Sequence, residues 1–310
     1  MKQADVPDGA KVLANNMGTA PGFSVQIGDS LMFFTPGVPR EMKQLWVDHI
    51  ENVLRPLAPA NTFQIRLKTF GLPESVVGEK LAGLEAEHAG LTIGYRASMP
   101  EIEVKVHVRD EGKDQARSRA HVIAELVRQR LGPLVVFGEG DDTLPEVTGR
   151  AITARSWRLA IAESCTGGLV GHLLTSFPAS DFFVADAVTY ANSAKTRLLG
   201  VDEDILRAHG AVSEEVAAAM ATGIRRACEV EISLAITGIA GPTGGTPEKP
   251  VGLVYLAVAH PGGVTVQRRV FPGDRAMIQR LAAHVGLSML REVAMFPPDM
   301  TPRPPPTIST

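Results

Sequence analysis

Between residues 140 and 296, strand-length apolar runs alternate with helix-length amphipathic ones. This alternation constrains the fold more than any other feature of the chain. A helix over about 142–155 leads into the apolar run 157–162, which ends in the turn Glu163-Ser164-Cys165-Thr166-Gly167-Gly168 and a helix to about Phe177. A strand then ends at Val188-Thr189-Tyr190, and a short helix carries Lys195. Ser213-Glu214-Glu215 opens a further helix, with a capping hydroxyl and first-turn acids where the helix dipole favours them. Strand 231–237, the glycine-rich loop 238–250, strand 251–259, a Pro261-Gly262-Gly263 turn, strand 264–271 and a helix from about 274 complete the set. Strands alternating with helices, closed by a hairpin, predict an α/β layer fold on a mixed sheet.

Upstream, the pattern changes. Residues 60–138 read as strand, helix, strand, strand, helix, strand, an α+β unit whose segment 101–108 alternates so that one face is buried and the other wet. His107 falls on the wet face. Residues 1–58 hold a hairpin around Gly28-Asp29 and a helix opening at Pro39. One hairpin and one helix are too little to close a core, so this piece is expected to pack on the rest of the chain or to need sequence ahead of Met1. Six prolines among residues 297–310 predict a disordered tail.

Composition then excludes several classes of function. Thirty-one basic residues against thirty-four acidic ones leave −3, and aromatic residues are 5% of the chain. Neither a phosphate-tracking basic stripe nor a base-stacking platform is expected, and hence no direct nucleic-acid partner. No run of about 18 apolar residues predicts a membrane span. The start lacks a secretory signal, and Cys165 and Cys228 cannot form a disulfide framework, so a cytoplasmic location is expected. Eight scattered His without ligand spacing argue against a metal site.

Three segments could carry chemistry. Ser164 follows an apolar strand and precedes two glycines, at the carboxyl end of a strand where open α/β sheets bind ligands. Amides at Thr166, Gly167 and Gly168 could meet an oxyanion, or Ser164 and Thr166 could simply cap the helix. Tyr190 and Lys195 could point into the same cleft, where a partly desolvated Lys serves as general base for a Ser; otherwise Lys195 is a solvated helix residue. The loop holding Thr237, Gly238, Ala240 and Gly241 could admit a phosphate or a planar ring, or be a long turn. Arg275 could bind phosphate or only Asp274. Cys165 reads as a small packed residue without a His partner.

Taken in order, Ala162–Gly168, Val188–Lys195, His209–Ser213, Thr237–Pro242, Lys249–Gly252 and Gly273–Arg275 resemble the C-terminal domain of the CinA (competence/damage-inducible protein A) family. Asn16–Phe23 and Pro36–Met42 resemble the tail of that family's molybdopterin-binding-like domain. The resemblance implies four segments: 1–58, the remnant of that domain; 59–139, an α+β linker domain; 140–296, a three-layer α/β/α domain with a mixed sheet; and the tail 297–310. It further implies nicotinamide-nucleotide amidase activity. NMN would be hydrolysed to nicotinate mononucleotide and ammonia, with Ser164 as nucleophile, Lys195 as base and Tyr190 as its orienter or proton relay. Thr166, Gly167, Gly168, Thr237, Gly238, Ala240, Gly241 and Arg275 would bind substrate. No cofactor or metal is implied for the amidase, and a homodimer or larger homo-oligomer is. The family's ADP-ribose pyrophosphatase activity, with its divalent metal, would need the larger front part of the first domain, which does not precede Met1. A non-catalytic nucleotide-binding role in competence or DNA damage is the other alternative.

Overall fold

The structure is a computed structural model that describes residues 5–57 and 61–297. It divides between Thr62 and Phe63 into two compact units. In the first, β1 (Lys11–Leu13), β2 (Gly22–Ile27) and β3 (Ser30–Phe34) form an antiparallel sheet. The hairpin turn falls at Gly28-Asp29 as the sequence indicates, with Ile27 opposite Ser30. β1 is too short for its pattern to be recognised from sequence. Pro39 opens α1 (Pro39–Leu45), which continues through a π-helical turn at Trp46–Ile50 into α2 (Glu51–Leu54). Leu13, Leu45 and Ile50 form a small core of their own, packed by Phe33 and Leu54.

The second unit begins with an α+β portion. It comprises β4 (Thr62–Thr69), α3 (Glu74–Leu81), α4 (Leu84–Glu87), β5 (Leu91–Ser98), β6 (Glu101–Arg109), α5 (Lys113–Leu131) and β7 (Val136–Glu139). The sheet order is β5-β6-β4-β7. The single helix expected after β4 is two, because Ala82 swings to an extended ψ of 142° and Gly83 turns left-handed. On β6, Ile102, Val104, Val106 and Val108 are all buried against α5, as their alternation predicts. The opposite face is less wet than expected. His107 is half-buried, and Glu103 is buried beneath Lys68 at 2.8 Å, Arg66 at 3.7 Å and Lys105 at 3.9 Å. Burial opposes the charge on Glu103, but these three cations outweigh it and hold the carboxyl below its ordinary range.

The remainder comprises α6 (Leu144–Thr153), β8 (Leu159–Glu163), α7 (Leu169–Leu174), β9 (Phe183–Val188), α8 (Asn192–Leu199), α9 (Glu203–His209), α10 (Glu214–Ala227), β10 (Ile232–Gly238), β11 (Leu253–His260), β12 (Gly263–Val270) and α11 (Arg275–Met295). The sheet runs β12-β11-β10-β8-β9. β8 is parallel to both β9 and β10, whereas β11 and β12 are antiparallel, so the sheet is mixed.

Side-chain size separates its two faces. Leu159, Ile161, Leu234, Ile236, Val254, Leu256 and Val258 project into a core shared with α6, α7 and α11. The intervening Ala160, Ala162, Ala235, Ala257 and Ala259 face α10, where small side chains leave room for Val216, Met220 and Ile224. The result is the expected three-layer α/β/α arrangement. α7 stops short of Phe177 because Thr175 and Ser176 return their hydroxyls to the carbonyls of Gly171 and Leu173. α9 was not anticipated. Its signals were Asp202, whose side chain accepts the Asp204 amide, and Gly210 just past its end. The proline-rich tail lies outside the described residues beyond Pro297.

Candidate active site

Strand register brings the three segments together. Glu163 pairs with Ile236 on one side and Val188 on the other, so the next residues, Ser164, Thr237 and Thr189, emerge side by side at the carboxyl edge of β8, β10 and β9. The Ser164 amide donates to Ile236 O at 3.0 Å and the Thr189 amide to Glu163 O at 2.7 Å, which extends both pairings past the strand ends. From β8 the chain passes to β9 on one side, and from β9 it returns to β10 on the other. Such a reversal leaves a crevice above the central strand.

Lys195, on the first turn of α8, reaches into this crevice and is 1% exposed. Its Nζ lies 3.3 Å from Ser164 Oγ, 2.8 Å from Thr189 O and 3.2 Å from Tyr190 O. Among the described residues, no carboxylate forms an ion pair with it. Burial therefore pulls its pKa below the ordinary lysine value, opposed only by the neighbouring Cys165. The two carbonyls accept two N–H hydrogens. A neutral amine has two and a lone pair, so the third direction, toward Ser164 Oγ, is where the lone pair can accept the hydroxyl proton. Cys165 is no competing nucleophile: burial foremost, and Glu163 next among the raising influences, push its thiol up to about 12.

The turn between Ser164 and α7 needs left-handed backbone at Gly167 (φ +64°) and Gly168 (φ +95°). Two of the amides considered as oxyanion donors are already engaged. Gly167 N donates to Ser164 O at 3.2 Å, and Gly168 N to Glu163 Oε2 at 3.0 Å. Thr166 differs, because its Oγ1 is buried without a hydrogen-bond partner. Among the substrate-binding candidates on this turn, Thr166 therefore has a donor to offer, and the glycines shape its approach.

Tyr190 meets Lys195 through its carbonyl. Its ring is 62% exposed at the rim, and its hydroxyl accepts from Arg275 Nη2 at 3.1 Å. Arg275 Nη1 donates to Gly241 O at 2.8 Å, so one guanidinium links the Tyr190 segment to the glycine-rich loop. Asp274 does not capture it; that side chain instead caps α11 by accepting the Met277 amide. Thr237 is buried with its hydroxyl on Ala211 O at 2.8 Å, a structural use. Ala240 is buried in the core edge, and Gly238 pairs with Val254, leaving backbone rather than side chain at the crevice.

Comparison with known proteins gives the chain a family. Residues 141–294 match the CinA C-terminal domain, and residues 64–138 match the damage-inducible protein CinA KH domain. A CinA-like protein of Anaeromyxobacter dehalogenans is 46% identical over 297 residues, covering 94% of this chain and 71% of that relative. The chain belongs to the CinA family. Another CinA-like protein, from Desulfosudis oleivorans, is 41% identical over 295 residues, with 94% and 71% coverage. Among solved structures, a competence-damaged protein (CinA) superfamily protein from Klebsiella pneumoniae is 35% identical. It covers 50% of this chain and 99% of its own, at a TM-score of 0.47.

Two positions of this CinA chain were not anticipated as site residues. Gln279, one turn into α11, donates to Cys165 O at 2.7 Å and braces the Ser164 turn from the helix layer that α11 shares with α7. Lys249 donates to His209 O at 2.7 Å and Val212 O at 2.8 Å, fastening the glycine-rich loop to the end of α9. Their signals were weak, since a Gln or Lys on a helix or loop ordinarily reads as solvated. Among the described residues, no group of three or more His, Cys, Asp or Glu is placed to hold a metal ion, and no helix is long and apolar enough to cross a membrane.

Proposed function

We propose that this chain is an amidase that hydrolyses the carboxamide of NMN to nicotinate mononucleotide and ammonia. The observation that carries the reaction type is the buried Lys195 Nζ, 3.3 Å from Ser164 Oγ, with its other two contacts taken by carbonyls. The motif resemblance supplies the substrate.

Ser164 Oγ attacks the carboxamide carbon while its proton passes to the Lys195 lone pair. The carbonyl oxygen becomes an oxyanion, which the Thr166 hydroxyl is free to meet. One preorganised donor of this kind contributes roughly 3–4 kcal/mol. As the tetrahedral centre collapses, the C–N bond breaks and Lys195 returns the proton to the departing nitrogen, giving ammonia and an acyl ester on Ser164. Water then attacks the ester, Lys195 accepts a water proton, and Ser164 recovers its hydrogen. Every proton in the cycle is carried by Ser164, Lys195 or water. Arg275, at the rim with Tyr190 and Gly241, is the cation suited to the substrate phosphate.

The test is incubation of the full chain with NMN in ¹⁸O-labelled water. Nicotinate mononucleotide carrying one ¹⁸O in its carboxylate is the expected product. No conversion by chain shown to be folded would overturn the reading.

A further inference from the structure

Glu163 is fully buried where β8 meets the nucleophile turn, and both its oxygens are held. Oε2 accepts the Gly168 amide and Oε1 the Gly171 amide, each at 3.0 Å. The carboxylate thus staples the start of α7 to the end of β8 on either side of Ser164's turn. Against it stands a second acid, Asp186, on the adjacent strand β9, and the two carboxyl groups converge on Gly171, whose amide Glu163 accepts and whose Cα Asp186 abuts. Asp186 Oδ1 is buried with no hydrogen-bond partner, and Oδ2 packs so closely on Gly171 that any side chain there would collide with it.

Two carboxyl groups share a hydrogen bond only when one retains its proton. Both Glu163 oxygens already accept amide hydrogens, so the proton belongs on Asp186. The elements packed most closely on β9 are β8 and α7, and their titratable groups are Glu163 and His172. Of these, Glu163 acts on Asp186, and no cation is among the influences on that carboxyl. Burial first, and Glu163 second, push the Asp186 carboxyl far above the ordinary aspartate range.

We propose that Asp186 and Glu163 form a one-proton carboxyl pair that positions the nucleophile, with neutral Asp186 donating to Glu163 and Glu163 fixing the turn that holds Ser164 against Lys195. As a role in turnover, this rests on the amidase reading; as a protonation state of the fold, it does not. Its sign is definite. Between the ordinary aspartate range and the raised value, the native chain keeps a proton that the unfolded chain has released, so stability falls as pH rises through that window. Asn at 186 presents a permanent donor and has no such slope.

The experiment measures thermal unfolding of the full chain and Asp186→Asn from weakly acidic to weakly alkaline pH, beside kcat and KM for NMN. The wild type should lose stability relative to Asp186→Asn as pH rises; parallel curves would overturn the pair. Asp186→Ala should lower kcat roughly ten- to a hundredfold with KM little changed. Asp186→Asn should recover most of that loss. Glu163→Gln, which turns a donor toward an amide, should lower kcat similarly while remaining folded. Wild-type kcat in Asp186→Ala or Glu163→Gln would remove the positioning role, as would failure of Asn to rescue. If the wild type releases no ammonia from NMN, the amidase reading fails, and the unfolding curves still decide the carboxyl pair.

Discussion

At the scale of single residues, the proposed amidase turns on where Lys195 stores its proton. Burial lowers its pKa, so the neutral, base-competent form gains population as pH rises. The kcat/KM profile should therefore climb with pH along a limb centred below 10.5, the ordinary lysine value. Lys195→Arg should be inactive at every pH, a loss of roughly a thousandfold or more, because guanidinium stays protonated and provides no lone pair. A variant that keeps the limb would show that another group sets it. Ser164 and Lys195 were legible in the sequence because each lies in a short motif at a strand end. Asp186 was not, since an acid in a half-buried strand has no local signature, and its partner lies 23 positions away. The roles of Gly167 and Gly168 have no local signature either, because a glycine pair does not tell that Ser164 O and Glu163 occupy its amides.

At the scale of elements, the sheet works because its two faces differ in bulk. Ala235, fully buried on central β10, faces α10 in the small-residue core. Ala235→Leu should overpack that face and destabilise the chain by about 1–3 kcal/mol. Ile161, on the large-residue face of β8, should cost about 2–5 kcal/mol as Ile161→Ala by leaving a cavity in the core shared with α6, α7 and α11. Chemical denaturation measures both; a neutral Ala235→Leu would contradict the close seat of α10. Most of these strands and helices were readable from period and capping. What escaped was brief or tertiary in origin: three-residue β1, seven-residue α9, the break at Ala82–Gly83, and Glu103, whose burial depends on cations from two strands.

At the scale of the whole second unit, one buried cation joins its two portions. Arg291, 5% exposed on α11, donates to Pro133 O at 2.7 Å, Val136 O at 3.3 Å and Leu134 O at 3.4 Å. Phe70 packs on His284 nearby, and His284 lies 3.8 Å from Glu101. Arg291→Ala leaves three carbonyls without their donor and should cost about 2–4 kcal/mol. The α+β portion should then unfold before the three-layer portion in a melting experiment. A single unshifted transition would show that Arg291 is not the link.

Ammonia release reads out whether Ser164 and Lys195 together form an amide-hydrolysing site. Steady-state release from NMN should be measured for the full chain, Ser164→Ala and Lys195→Ala, with unfolding curves to confirm that each is folded. Release by the wild type and loss in both variants is the expected result. Undiminished release by folded Ser164→Ala would contradict it.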